Sequence, residues 1–312
     1  MERANTRPGA ATLSAFSAVV VLLGINFVAV RFSNAELPPF WGSGVRFAAA
    51  ALILFALSSL RRVPFPRDRS LHGAILYGGL AFGATYALAY WGLLTVPSGV
   101  TAVIFASIPL LTFVMALALK MERFRAAALA GAGLAFLGIA VISYEQVRGQ
   151  IDPMGLAAII VGSVTAAASA IVVKRTPKAH PLATNAVAMG VGAAILVPLS
   201  LLAGEPWPLP TLPATWVALI YLVTSSVIAF ALFVWILQRW TVSAVSYQTV
   251  LSPLVTIAVA AGLVAEPVTV TLAAGTALVL GGVFVGAIWR GGPRPEGPPA
   301  AGAPPPAAQG RG

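Results

Sequence analysis

Residues 90–123 read YWGLLTVPSGVTAVIFASIPLLTFVMALALKMER, and residues 234–269 read VWILQRWTVSAVSYQTVLSPLVTIAVAAGLVAEPVT. One constant offset of 144 positions aligns them and extends to both sides. The pairs that it matches are Tyr77 and Tyr221, Trp91 and Trp235, Pro109 and Pro253, Thr112 and Thr256, Glu122 and Glu266, Gly131 and Gly275, and Gly138 and Gly282. An offset of 143 also carries Arg31 onto Lys174. The chain therefore contains an internal repeat, which decides the fold.

The composition restricts the class of protein. Of 312 residues, 59% are hydrophobic and 9% charged, with a mean hydropathy of +0.91, whereas soluble domains carry about 25% charged residues. So few charges cannot cover a soluble domain of this size, which excludes soluble enzymes and nucleic-acid-binding proteins. The absence of cysteine excludes disulfides, thiolate metal sites and thiol nucleophiles.

Continuous apolar runs separate charged or proline-rich segments. A helix crosses the hydrocarbon core in about 20 residues, and ten runs of that length are present. They cover Thr12 to Val30, Pro38 to Leu60, Leu71 to Leu94, Ser98 to Leu119, Ala126 to Ser143, Pro153 to Val173, Pro181 to Ala203, Ala214 to Leu237, Ser243 to Ala265 and Val268 to Trp289. Barrel strands would be shorter and would alternate. The sequence predicts an all-α membrane protein with ten transmembrane helices.

The positive charges predict the orientation. With residue 1 in the cytoplasm, sixteen of the 19 lysines and arginines fall in cytoplasmic segments. Arg31 and Arg148 fall outside, and Arg46 lies within a span. Basic residues concentrate in short cytoplasmic loops, so both termini are expected in the cytoplasm and the protein in the inner or plasma membrane. This rule accounts for the net charge of +10 without a nucleic-acid partner.

Five spans per half imply that the halves enter the membrane from opposite sides. The predicted organisation is a cytoplasmic N-terminus (1–11), a first repeat (12–143), a second repeat (153–289) and a disordered cytoplasmic tail (290–312). Inverted repeats commonly support alternating access, with a substrate site near the midplane where the repeats meet. The alternative is a duplication that serves only to fold a symmetric bundle.

The same segments carry a family resemblance. Residues 90–123 followed by GAGLAFLGIAVI (131–142), and residues 234–269 followed by GTALVLGGVFV (275–285), resemble the EamA repeat of the drug/metabolite transporter superfamily. GINFVAVRF (24–32) and FWGSGVRFAAAAL (40–52) are similar to the opening pair of spans, although Leu23 stands where many members have tryptophan. The resemblance implies a ten-span transporter, often an exporter of amino acids or other small metabolites, with a central cavity lined by both halves.

Pro109 and Pro253 lie near the middle of the fourth and ninth spans. Each lacks the amide that would bond the carbonyl four residues earlier, which frees the carbonyls of Phe105 and Thr249. Such breaks can bind a ligand or bend during gating. The alternative is a static kink that aids packing.

Arg46 is the only ionisable residue well inside a span. At about 1.5 Å per residue it lies about 12 Å from the outer edge, where a charge facing lipid is costly. We expect it to point inwards. One interpretation has Arg46 attract a carboxylate or phosphate of the substrate, and the other has it bound to carbonyls or to Glu36.

Other polar and aromatic residues of the spans are candidates for contact with a substrate. They are Asn26, Tyr86, Tyr90, Thr112, Ser169, Ser246, Tyr247, Gln248 and Ser252. The polar groups could bond a zwitterion, and the two tyrosines, four residues apart, could stack on an apolar part. For each, the alternative is helix packing or an interhelical hydrogen bond.

The spans contain no acidic residue near their middle. Proton coupling normally needs an intramembrane ionisable relay, so we expect facilitated diffusion or exchange. No catalytic constellation, metal set or cofactor motif is visible. The sequence thus predicts a secondary transporter whose partners are a small-molecule substrate and the lipid bilayer, compatible with a monomer, and a non-transporting sensor or scaffold remains the alternative.

Overall fold

The computed structural model describes residues 9–121, 126–148, 152–177, 179–237 and 248–285, and their regular secondary structure is entirely helical. The helices are α1 (Ala10–Asn34), α2 (Pro39–Leu60), α3 (Asp68–Gly78), α4 (Thr85–Gly92), α5 (Ser98–Phe105), α6 (Ile108–Ala118), α7 (Ala126–Arg148), α8 (Pro153–Arg175), α9 (Pro181–Leu202), α10 (Pro213–Leu237), α11 (Gln248–Leu263) and α12 (Val270–Val283). A π-helical segment, Gly79–Ala84, joins α3 to α4.

Among the described residues, six helical stretches are long and apolar enough to cross a membrane. They are Ala10–Asn34, Pro39–Leu60, Asp68–Gly92, Ser98–Ala118, Pro153–Arg175 and Pro181–Leu202. Four shorter apolar helices cover Ala130–Ile142, Pro213–Ala229, Leu251–Leu263 and Val270–Val283. The prediction of an all-helical chain is confirmed for the described residues, which contain ten apolar helical stretches, six of them long enough to cross a membrane.

The third predicted span is not a regular α-helix throughout. The amide of Thr85 bonds the Leu80 carbonyl five residues earlier, and the Thr85 hydroxyl bonds the same oxygen at 2.8 Å. This wider turn is a π-bulge, which commonly occurs where a helix is adapted to a functional site. The apolar pattern of the span gives no sign of it.

Pro109 and Pro253, which occupy matching positions in the two repeats, have different effects on their helices. In the fourth span, α5 ends at Phe105 and α6 begins at Ile108, with Pro109 in its first turn. Pro109 has no N–H to donate to the carbonyl of Phe105, where α5 ends, and the Leu110 amide bonds the Ser107 carbonyl at 2.9 Å in the first turn of α6. Pro253 instead lies inside the continuous helix α11.

The helices of the two halves interleave. The main packing pairs are α2 with α9, α7 with α12, α1 with α10 and α11, α8 with α4 and α6, α3 with α9, and α2 with α10. Where α7 crosses α12, a β carbon at Gly138 would come 2.7 Å from the Gly275 carbonyl oxygen. A β carbon at Gly282 would overlap the Gly131 carbonyl oxygen. Glycine is therefore required for this close approach.

At one end of the bundle, acidic residues accept hydrogen bonds from the starts of helices. Glu36, between α1 and α2, accepts hydrogen bonds from the Thr211 amide and hydroxyl and from the Leu212 amide before α10. The hydrogen bond from the Thr211 hydroxyl lowers the pKa of Glu36 to about 2. Because this carboxylate is ionised at neutral pH, it is a suitable partner for the positive end of α10.

Glu205 makes the corresponding contact with α2. Its carboxylate accepts the amides of Phe40 at 3.2 Å and Trp41 at 2.9 Å. The Trp41 indole stacks on Trp207 at 4.5 Å and donates to the Pro208 carbonyl. Contacts from one half thus fix the start of a helix in the other half.

Candidate functional site

A cavity of about 180 Å³ lies in the middle of the bundle, between α1, α4, α5 and α11. Its walls are mostly apolar, as is usual for sites that bind small molecules. The apolar lining consists of Leu23, Phe27, Tyr86, Ala89, Ala102, Phe105, Ala106 and Pro253. Phe27 and Phe105 meet edge to face at 5.4 Å on opposite helices. Helices from both sequence repeats therefore form one compartment.

Three polar side chains also line the cavity: Asn26, Gln248 and Ser252. One amide hydrogen of Asn26 is used by the Leu22 carbonyl at 2.8 Å. The Gln248 Oε1 atom is buried and has no hydrogen-bond partner among the described residues. An unpaired acceptor beside an apolar cavity is costly unless a ligand or water supplies a donor, so Gln248 is suited to a ligand N–H or O–H group.

Arg46 lies next to this cavity but does not line it. Only 2% of the residue is exposed. Its Nη2 donates to Asn26 Oδ1 at 2.8 Å and to Ser226 Oγ at 3.0 Å, its Nε donates to the same Ser226 oxygen at 3.1 Å, and its Nη1 reaches the Tyr90 hydroxyl at 3.3 Å. The guanidinium carbon also lies 5.1 Å from the centre of the Tyr86 ring. Every one of these groups is neutral.

Glu266 joins two helices at the end of the bundle. Its Oε1 accepts Arg31 Nη1 at 2.7 Å, the Ser98 amide at 3.0 Å and the Ser98 hydroxyl at 2.8 Å. Its Oε2 accepts the Gly99 amide at 3.2 Å. The Glu266 side chain is 10% exposed, so these charge-assisted bonds form largely away from water.

This network lies over the cavity. On α1, Arg31 follows the cavity residue Phe27 by one helical turn, and on α5, Gly99 precedes the cavity residue Ala102 by about one turn. Glu266 itself follows α11, the third helix of the cavity wall. We call Glu266, Arg31, Ser98 and Gly99 the Glu266 latch, because they tie these three helices together above the compartment.

The structure brings together some of the candidate residues. Asn26, Tyr86, Gln248, Ser252 and Pro253 line one cavity.

Other candidates lie elsewhere. Tyr90 is fully buried against Arg46, Thr112 bonds the Ile108 carbonyl, and Ser169 bonds the Ala166 carbonyl. These three residues and Pro109 are not part of the cavity wall. Ser246 and Tyr247 lie outside the described residues. The suggested contact of Arg46 with Glu36 is wrong, because Glu36 binds the start of α10.

Several residues of the site were not predicted from the sequence. Ser226 supplies the closest hydroxyl to Arg46, and Phe27 and Phe105 form the cavity wall. The sequence points to Phe27 and Phe105 only indirectly. Phe27 follows the candidate Asn26, and the carbonyl of Phe105 is the one that Pro109 leaves without its helical hydrogen bond. Leu23, where the family often has tryptophan, also lines the cavity. Among the described residues, no cluster of three histidines or acidic residues could hold a metal ion.

The sequence is similar to known membrane transporters. The family model described as "EamA-like transporter family" matches residues 11–144 and 153–287. The chain is 27% identical over 262 residues to an uncharacterized inner membrane transporter of Escherichia coli K12, YedA, covering 81% of this chain and 82% of that protein.

Two further relatives have more specific names. A probable amino-acid metabolite efflux pump of Salmonella typhimurium is 23% identical, covering 86% of this chain and 91% of the pump. A probable biotin transporter of Pseudomonas aeruginosa is 28% identical, covering 65% and 72%.

A crystal structure with 20% sequence identity superposes with a TM-score of 0.63 and covers 89% of this chain and 96% of its own. At that identity the match supports the fold alone. The two family-model matches together cover most of the sequence. The chain belongs to the EamA-like transporter family and is a membrane transporter.

Proposed function

We propose that this protein is a secondary transporter that moves small organic solutes, such as amino acids, through the central cavity by alternating access. The observation that carries the proposal is the cavity itself, which lies at the junction of the two halves and combines an apolar wall with Asn26, Gln248 and Ser252. Sites of this composition bind small molecules with defined orientation.

The packing pairs support a pseudo-two-fold relation between the halves. In the repeat, α1 corresponds to α8, α2 to α9, α3 and α4 to α10, α5 and α6 to α11, and α7 to α12. Exchanging the halves therefore converts the pair α1–α10 into α8–α4, α1–α11 into α8–α6, and α2–α10 into α9–α3. All six pairs are in contact. The pairs α2–α9 and α7–α12 convert into themselves. Any pseudo-two-fold axis gives this exchange, and the predicted five spans per half require that the axis lie in the membrane plane. Transporters with such an axis open by rocking one half against the other.

The Glu266 latch supports a state in which one end of the cavity is tied shut. With the predicted orientation this end faces outwards and both termini face the cytoplasm of the cell. Because the spans carry no acidic residue near their middle, we propose exchange or facilitated diffusion as the mode of transport. The names of the efflux-pump and biotin-transporter relatives favour a small metabolite as the substrate.

Counterflow in proteoliposomes tests this function. Vesicles loaded in turn with each member of a panel of amino acids and small metabolites should accumulate the labelled form of at least one. We expect Ala106→Trp to stop this exchange, because Ala106 lines the cavity and the indole would fill it. Ala258→Trp, on the exposed face of α11, is the matched control and should exchange normally. Absence of exchange across the whole panel, or equal exchange by both variants, would contradict the proposal.

A further inference from the structure

The charge of Arg46 is not neutralised by the protein around it. In the described part of the chain, no carboxylate pairs with Arg46, and the oxygens that face it belong to Asn26, Ser226 and Tyr90. The sequence contains no acidic residue anywhere between 206 and 265. A buried cation bound only by neutral groups keeps a strong positive potential, because the low dielectric of its surroundings does not screen it.

That potential acts on the cavity through two of its lining residues. Asn26 Oδ1 lies 2.8 Å from Arg46 Nη2, and the Tyr86 ring lies over the guanidinium. Both side chains also face the cavity. A solute in the cavity would therefore be separated from the guanidinium by a single side chain, close enough for its charge to matter but without direct contact.

This inference rests on the proposed transport function. We infer that the cavity selects solutes that carry a carboxylate or another anionic group, and that Arg46 attracts this group through its positive potential without touching it. Arg46 is a positioning residue: it holds Asn26 and supplies the positive potential. The anionic group lies on the Asn26 and Tyr86 side. The unpaired Gln248 Oε1 accepts a donor of the same solute from α11, on another side of the cavity. Amine-only cations are excluded by the uncompensated charge of Arg46.

Asn26→Asp is the sharpest test, because it supplies inside the protein the counterion that the solute would otherwise bring. The new carboxylate takes the place of Asn26 Oδ1 and pairs with Arg46. The second carboxylate oxygen has no hydrogen to donate to the Leu22 carbonyl and must turn away from it, but this carbonyl keeps the Tyr221 hydroxyl at 2.7 Å, so we expect the fold to be retained. Arg46→Gln is less informative alone, since it leaves the surrounding oxygens without their donors and lowers the amount of folded protein.

The measurement is counterflow with matched probes that differ only in the acidic group: leucine, leucinamide and 3-methylbutylamine, and phenylalanine, its amide and phenethylamine. The wild-type protein should exchange the carboxylates and not the amides or amines. Asn26→Asp should lower carboxylate exchange about tenfold or more, which corresponds to about 1.4 kcal/mol, and should admit the amides or amines. Asn185→Asp is the matched control, since Asn185 is also buried in a span but bonds Pro181 and Tyr77; it should keep the wild-type preference.

The outcomes separate the inference from the function on which it rests. Exchange of amides or amines as fast as carboxylates, or an unchanged preference in Asn26→Asp, overturns the selection of anionic solutes while leaving a transporter. Absence of exchange for every probe and every member of the wider panel overturns both.

Discussion

Glu266→Gln should slow solute exchange about tenfold or more and should open the outer end of the cavity. The carboxylate accepts four hydrogen bonds from Arg31, Ser98 and Gly99, and a hydrogen bond to a charged group contributes about 1.5–3 kcal/mol. Glutamine has one acceptor oxygen, and its NH2 group would face further donors. Weakening the latch by about 1.4 kcal/mol changes the ratio of closed to open states tenfold.

The opening of the outer end of the cavity in Glu266→Gln can be measured separately from solute exchange. Ala102→Cys places a thiol on the cavity wall below the latch, and the natural chain has no cysteine. We expect an impermeant thiol reagent, added from the outer face, to label this thiol about tenfold faster when Glu266 is glutamine. Glu205→Gln is the control, because Glu205 also binds the start of a helix at this end but lies away from the cavity. Equal labelling and exchange in the two variants would show that the Glu266 latch does not close the cavity.

Gly138→Val should strongly destabilise the folded protein. Its β carbon would lie 2.7 Å from the Gly275 carbonyl oxygen and 2.8 Å from a Val279 methyl carbon, so α7 and α12 would have to separate. Overpacking of this kind costs about 1–3 kcal/mol, and about 2–4 °C in melting temperature accompanies each kcal/mol in larger domains. We therefore expect the melting temperature in detergent to fall by several degrees, and by up to about 12 °C.

Gly133→Val is the matched control for this change. Gly133 lies on the same helix and is exposed, and a β carbon at this position would meet no atom within 4 Å. The melting temperature of this variant should stay within about 2 °C of the wild type, because substitutions away from packing contacts are usually near neutral. If both variants melt alike, the glycine contact between α7 and α12 contributes little to stability.

The sequence predicts the spans because a bilayer imposes one length and one composition on every helix that crosses it. The same solvent argument predicts that Arg46 points inwards, since a charge facing lipid is costly. Its partners could not be predicted. Ser226 and Tyr90 are 180 and 44 positions away in the sequence, and the rotation of α10 and α4 that brings them to Arg46 depends on packing that no local pattern encodes.

The cavity wall was predicted only in part for a similar reason. Asn26, Gln248 and Ser252 stand out as polar residues within apolar spans, whereas Ala102 and Ala106 look like any other alanine of the chain. Pro109 and Pro253 match in the repeat, yet only Pro253 reaches the cavity. Both prolines lack an amide, but whether the helix restarts or continues depends on neighbouring hydrogen bonds, such as that between Leu110 and Ser107.

The most direct test of a solvated transport cavity is the reactivity of Ser252→Cys. Ser252 lines the cavity, cysteine is nearly isosteric with serine, and no natural cysteine competes for the reagent. The buried Ser163, 1% exposed on α8 and away from the cavity, gives the matched control Ser163→Cys. A charged, impermeant thiol reagent should modify the thiol at 252 from the water phase, more slowly when a transported solute is present, and should leave the thiol at 163 unmodified. A thiol at 252 as inert as that at 163, from both faces of the membrane, would contradict a water-accessible pathway between the two halves.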